Sequence, residues 1–161
     1  TINKLRRKAR EFYYRFNRTK ASGRPNQRAV PDGRPTTIPS KADRDTRRSL
    51  IRENESAQTL AQSGYKVKQN PPTKQNGTNP DYLIEGRVFD CYAPATKNPR
   101  NIWDYIKKEK IEKGQTERVV LNLSDRRVDL AELKQQFQLW EIKGLKEVII
   151  IKENSIIPFY P

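Results

Sequence analysis

The sequence predicts an α/β domain, a mixed sheet with helices on both faces, preceded by a basic N-terminal arm. Two runs, RVVLNL at 118–123 and EVIIIK at 147–152, are apolar on successive residues, as strands buried on both faces are. Segments of helical spacing alternate with these strands, which is the pattern of a sheet with helices packed against it. Charge divides the chain. Residues 1–48 hold 15 Lys and Arg against 4 Asp and Glu, a net +11, and residues 49–161 hold 18 against 15, a net +3.

Taken in order, Asn3–Arg18 has helical spacing, with Leu5, Ala9, Phe12, Tyr13 and Phe16 on one face and Arg and Lys on the other. Residues 19–45 follow, with four prolines, many turn formers and no apolar period. They read as an extended linker, and the segment before them as a basic amphipathic helix on a flexible tether. Such a helix can dock on its own domain, on nucleic acid or on an acidic membrane surface. The domain division is thus 1–48 for the basic helix and Pro-rich linker, and 49–161 for the globular part.

The stretch TRRSLIRENESAQTLAQSGYKV (46–67) reads as a helix stopped by Gly64, with Leu50, Ala57, Leu60 and Ala61 inward. YKVKQ is a short strand, and residues 71–80 are a turn-rich loop. DYLIEG and RVFDCYA are two strands of a hairpin turning at Glu85-Gly86. PATKNPRN connects them to a helix, IWDYIKKEKIEKG, with Trp103, Ile106 and Lys110 on one side and Gly114 as its stop. VDLAELKQQFQLWEI is an amphipathic helix with Leu130, Leu133, Phe137 and Trp140 inward, and IIPFY is a last strand.

Composition narrows the chemistry. The chain has no histidine, which excludes Ser-His-Asp and Cys-His catalysis. Its one cysteine, Cys91, excludes an internal disulfide and a cysteine-based zinc site. No apolar run approaches the ~18 residues of a membrane span, so stable membrane insertion is not expected. The chain begins at Thr1 and contains no Met, so it is expected to be a piece of a longer protein or a processed form.

Any catalysis must therefore come from carboxylates, lysines, hydroxyls or a metal held by oxygen. Asp81 opens one hairpin strand and Asp90 lies inside the other, on the face of Val88 and Tyr92. An ionised carboxylate buried there costs several kcal/mol unless a cation faces it. Asp81 alone would read as turn chemistry, and Asp90 alone as half of a salt bridge. Upstream, Glu53 shares the inward helix face with Ala57 and Leu60, whereas Glu55 points elsewhere and is the second choice. Downstream, Lys110 shares the face of Trp103 and Ile106, while Lys107, Lys108 and Lys113 read as solvated; Lys108 is the alternative. Glu53, Asp81, Asp90 and Lys110 form the set needed for metal-assisted phosphodiester cleavage, with Asp81 and Asp90 as ligands of Mg²⁺ or another divalent cation. Arg6 and Arg7 of the arm, Lys97 and Arg100 of the connector, and Gln115 are the candidate nucleic-acid-binding residues.

These motifs carry a resemblance. NPDYLIEG followed by FDCYAP resembles the PD-(D/E)XK nuclease superfamily, whose restriction-endonuclease-like core has the same α–β–β–β–α–β order. More narrowly, RENESAQTLAQSGYKVKQNP, NPDYLIEGRVFDCYAPATKNPRNI and EKGQTERVVLNLSD resemble the C-terminal toxin domain of contact-dependent growth inhibition (CdiA-type) proteins of the tRNA nuclease kind, over residues 49–161. The resemblance implies a metal-dependent ribonuclease released from a surface protein of the producing cell. It would cleave tRNA in the cytoplasm of a neighbouring bacterium and be neutralised by a cognate immunity protein. Some members also need a host factor such as elongation factor Tu. Asp81 stands at the Asp of PD and Asp90 at the (D/E) position. Tyr92 stands where the superfamily has lysine, which leaves Lys110 to supply the cation. From the residues alone, a DNA endonuclease on the same fold and a non-catalytic nucleic-acid-binding module remain alternatives.

Overall fold

The computed structural model describes residues 1–72 and 77–161; part of the turn-rich loop expected at 71–80 lies outside the described residues. The elements are α1 (Ile2–Asn17), β1 (Asp32–Gly33), α2 (Arg44–Gln62), β2 (Val67–Gln69), β3 (Tyr82–Ile84), β4 (Arg87–Tyr92), α3 (Pro99–Tyr105), a π-helical segment (Ile106–Glu112), β5 (Arg118–Asn122), α4 (Leu130–Leu139), β6 (Glu147–Lys152) and β7 (Ser155–Tyr160). The seven strands form one sheet in sequence order. Pairing is parallel for β1–β2, β4–β5 and β5–β6, and antiparallel for β2–β3, β3–β4 and β6–β7. The sheet is mixed, as expected.

Two apolar layers cover the sheet. On one face Ala57, Leu60 and Ala61 of α2 pack on Tyr82, Ile84, Phe89, Val120 and Ile149. On the other, Ile102, Trp103 and Ile106 join Leu133 and Phe137 of α4 over Val119, Leu121, Val148 and Ile150. Alternate residues of β5 and β6 thus enter opposite layers, which is why their sequences are apolar throughout. Helix starts follow side-chain caps. Asp43 accepts from Thr46 N at 2.8 Å, Asn98 from Asn101 N at 3.0 Å, and Asp129 from Ala131 N at 3.0 Å and Glu132 N at 3.1 Å. The β3–β4 hairpin turns at Glu85 (φ +49°) and Gly86 (φ +76°), two left-handed residues in the type I′ manner that a two-residue hairpin favours.

Three sequence expectations change. The helix expected over 102–114 is α-helical only to Tyr105 and then widens into a π-helix, closed by Gln115 N donating to Lys110 O at 2.9 Å. Trp140, expected inward on α4, lies one residue past the helix end in an extended conformation and is 56% exposed. And residues 18–36 are pinned to the domain, not tethered. Gly23 N donates to Gly64 O at 2.9 Å and Asn26 N to Gln62 O at 2.8 Å. The close approaches need glycine. A Cβ on Gly64 would stand 2.3 Å from Gly23 O, and one on Gly33, in β1, 2.1 Å from Gln69 O. These contacts involve backbone atoms, so no apolar period in the sequence announces them.

The anchor of this segment is Glu147, buried at the start of β6. It accepts from Thr19 N at 2.8 Å, Thr19 Oγ1 at 2.6 Å and Arg118 Nη1 at 2.7 Å. Arg18 reaches the C-terminus, both its Nε and Nη2 donating to Pro161 O at 3.0 and 2.7 Å. Removing one partner of a buried ion pair strands the other charge. Glu147→Ala is therefore expected to lower the free energy of unfolding by about 3 kcal/mol in urea titrations. An unchanged midpoint would mean that the Thr19–Glu147–Arg118 contacts contribute nothing.

Candidate active site

The site forms where β3 and β4 part. The last cross-strand pair on that side is Tyr82↔Phe89, so the same register sets Asp81 opposite Asp90. In place of the next backbone pair, the side chains bridge the strands. Asp81 N donates to Asp90 Oδ1 at 3.0 Å, and Cys91 N donates to Asp81 Oδ2 at 2.8 Å. Each carboxylate thus satisfies a backbone donor of the opposite strand. Two acids directly across a strand pair repel, and Asp90 is only 1% exposed, so the arrangement needs positive charge.

Lys110 supplies part of it. Its Nζ stands 3.3 Å from Asp90 Oδ2, brought there by the π-helical segment on the face of β4 that carries Tyr92. Widened helical turns of this kind recur at functional sites. Burial pulls the Lys110 ammonium down, but Asp90 and Asp81 outweigh it and hold its pKa above the ordinary lysine value. Burial, then the charge of Asp81, pushes the Asp90 carboxyl up, opposed by Lys110 and by hydrogen bonds from Asp81 N and the Gln115 side chain. Gln115 Nε2 also lies 3.4 Å from Asn79 O, tying the end of the helix to the loop before β3.

Glu53 arrives from α2, 6% exposed. Its helix turn is fixed from below by Tyr82, whose hydroxyl donates to Glu53 O at 2.6 Å. Burial, followed by a hydrogen bond to and the charge of Asp81, raises the Glu53 carboxyl to about 9, while a hydrogen bond from Thr36 lowers it. The site therefore favours the neutral form of the Glu53 carboxyl at neutral pH. Cys91, beside Asp81, is pushed up to about 12 by burial and the same negative charge, so it is a thiol and no nucleophile.

Of the candidates read from sequence, Glu53, Asp81, Asp90, Lys110 and Gln115 come together. Glu55 and Lys108 lie outside, Glu55 paired with Arg52 and Lys108 with Asp104 at 3.0 Å. Lys97 is exposed. Arg100 lies over the Trp103 and Trp140 rings, 4.6 and 5.9 Å from their centroids. Arg6 and Arg7 are exposed on α1, Arg7 with Glu11 at 3.7 Å. Thr36 was not anticipated. It reaches Glu53 because Asn54 brackets its backbone, accepting from Thr36 N at 2.8 Å and donating to Thr36 O at 3.0 Å. Among the described residues, no three His, Cys, Asp or Glu side chains are arranged to hold a metal ion by themselves.

Fold and cluster define a small mixed α/β domain with a buried acidic centre faced by one lysine. Residues 78–157 match the family described as the contact-dependent growth inhibition CdiA C-terminal domain. Over 119 residues, 74% of this chain, the sequence is 50% identical to the tRNA nuclease CdiA-2 of Burkholderia pseudomallei strain 1026b; the chain spans 4% of that relative's length. A chain from the CdiA-CT/CdiI toxin and immunity complex of Burkholderia pseudomallei superposes with a TM-score of 0.76 at 46% identity, covering 82% of this chain and 99% of that one. The chain belongs to the CdiA C-terminal toxin domain family.

The proton on Glu53 has a consequence for stability. The folded chain takes it up at about 9, and the unfolded chain near the ordinary glutamate value of 4.5. Between these values the folded state binds more protons, so its stability is full at the acid end and falls as pH rises. In EDTA, the urea midpoint is expected to fall from about pH 5 to about pH 9, and Glu53→Gln to flatten that slope. Equal slopes in both proteins would show that Glu53 carries no such proton.

Proposed function

We propose that this chain is a metal-dependent ribonuclease toxin that cleaves tRNA in the cytoplasm of a neighbouring bacterium and is neutralised by a cognate immunity protein. The observation that carries this reading is the convergence of Glu53, Asp81 and Asp90 with Lys110 at 3.3 Å from Asp90. The 50% identity, over 74% of this chain, to a protein named as a tRNA nuclease, and the likeness to a toxin and immunity complex, support tRNA as substrate and an immunity protein as partner. The chain's net charge of +14 suits both tRNA and an acidic inhibitor. In the family's manner it would be released from a surface protein of the producing cell.

The site reads as a PD-(D/E)XK centre with a relocated lysine: Asp81 and Asp90 in the two acidic positions, Tyr92 where the lysine would stand, and Lys110 reaching in from the next helix. The donor set is hard oxygen. Its small number of ligands suits an ion such as Mg²⁺, which takes one or two carboxylates and completes its shell with water and substrate phosphate. Asp81 and Asp90 would hold it, with Glu53 giving up its proton to join them or to take a proton from the attacking group. When bound, a divalent cation polarises the phosphate and lowers the pKa of the attacking water or hydroxyl. Lys110 stabilises charge that develops on the phosphoryl oxygens. Gln115 steadies Asp90 and the loop before β3, and Lys97, Arg100, Arg6 and Arg7 are offered to the phosphate backbone.

Incubation of the purified chain with bacterial tRNA tests this. Fragments are expected with Mg²⁺ and none with EDTA, and Lys110→Ala or Asp90→Asn is expected to slow cleavage about a hundredfold or more. Cleavage that appears only with added cell extract would assign a host factor such as elongation factor Tu. Equal cleavage in EDTA would overturn the metal, and nicking of plasmid with tRNA left intact would overturn the substrate.

A further inference from the structure

Two aromatic rings beside the site have no part in the chemistry described so far. Tyr92 lies two residues beyond Asp90 on the same face of β4, and Tyr105 ends α3 immediately before the π-helical segment that carries Lys110. The rings are stacked, centroids 4.1 Å apart and planes 16° from parallel. Tyr92 is half-buried against the apolar layer beneath, so it backs the pair. Tyr105 is 42% exposed. Part of its ring is open to solvent, five residues before the lysine along the same helical run.

The surroundings of Tyr105 are polar and concave. With Asn101, Asp104, Lys108 and Glu109 it lines a recess of about 270 Å³. The phenol is close enough to Lys110 to act on its charge, and the recess lies along the outer side of the helical segment that carries that lysine. An aromatic wall backed by a second ring, with amide and carboxylate groups around it, matches what an unstacked nucleobase needs: a face to stack on, and donors and acceptors for its edge.

We propose that Tyr105, backed by Tyr92, is a stacking platform for an unpaired nucleobase next to the scissile phosphate. Asn101 would face the base edge, with Asp104 and Glu109, held by Lys108 and Lys113, at the rim. The inference rests on the nuclease reading for its substrate, but its own content is a base-binding subsite. It implies that the nucleotide beside the cut must leave its stack, so cleavage falls at a single-stranded or easily opened position.

The test is binding of end-labelled bacterial tRNA by fluorescence anisotropy, in EDTA and at about 0.3 M salt, where phosphate contacts are weakened. Wild type is compared with Tyr105→Phe, Tyr105→Trp and Tyr105→Leu, the leucine keeping apolar bulk without a π face; circular dichroism checks that each is folded. Phe and Trp are expected to bind within about twofold of wild type, and Leu about tenfold more weakly. Leu binding as tightly as wild type, or Phe as weakly as Leu, would overturn the platform. Adding Mg²⁺ to the same samples separates the two readings. Aromatic-dependent binding without cleavage by wild type, with or without added cell extract, would sink the nuclease alone; cleavage by wild type with equal binding by all variants would sink the platform alone.

Discussion

The structure turns on two aspartates forced to face each other. The register of a three-pair hairpin brings Asp81 opposite Asp90, and each carboxylate then takes over a backbone donor from the other's strand, Asp81 N at 3.0 Å and Cys91 N at 2.8 Å. Neither acid can turn away without leaving a backbone donor unpaired. Their repulsion must be met from outside the hairpin, and two neighbouring elements meet it in different ways. The π-helical segment brings the Lys110 ammonium to Asp90. Helix α2 brings Glu53, whose carboxyl burial and the neighbouring Asp81 hold well above the ordinary range. With Glu53 neutral, two aspartates against one lysine leave one formal negative charge at the centre, which suits a bound cation.

The N-terminal segment belongs to the same arrangement. It crosses the domain from Thr19 at Glu147 to Thr36 at Glu53, so one stretch of chain fastens the start of β6 and touches the acidic centre. The basic residues of α1 lead into that segment. Contacts between the two ends of the fold therefore run through a stretch whose composition, rich in proline and turn formers, gives no sign of order.

Much of the site was legible because its residues sit on regular elements. Strand alternation placed Asp90 away from Phe89, and helical spacing placed Glu53 with Ala57 and Leu60, and Lys110 with Trp103 and Ile106; the burial of each of these agrees. The Glu85-Gly86 turn and the order of helices and strands were legible for the same reason. What was not legible depends on tertiary contact or on departures from regularity. Thr36 is positioned by Asn54 from another element. The change from α to π geometry at Ile106 leaves the apolar spacing nearly intact, so periodicity does not register it. Trp140 continues the apolar period of α4, but the helix stops at Leu139 and the ring turns to solvent beside Arg100.

On the proposed reading, a divalent cation held by Asp81 and Asp90 displaces the proton of Glu53 when that carboxylate joins them. Calorimetric titration of Mg²⁺ into the protein at about pH 7.5, in two buffers of different ionisation enthalpy, counts the protons released on binding. Close to one proton is expected to be released per ion by the wild type and close to none by Glu53→Gln. Binding of Mg²⁺ without proton release by the wild type would show that Glu53 does not join Asp81 and Asp90 in holding the ion.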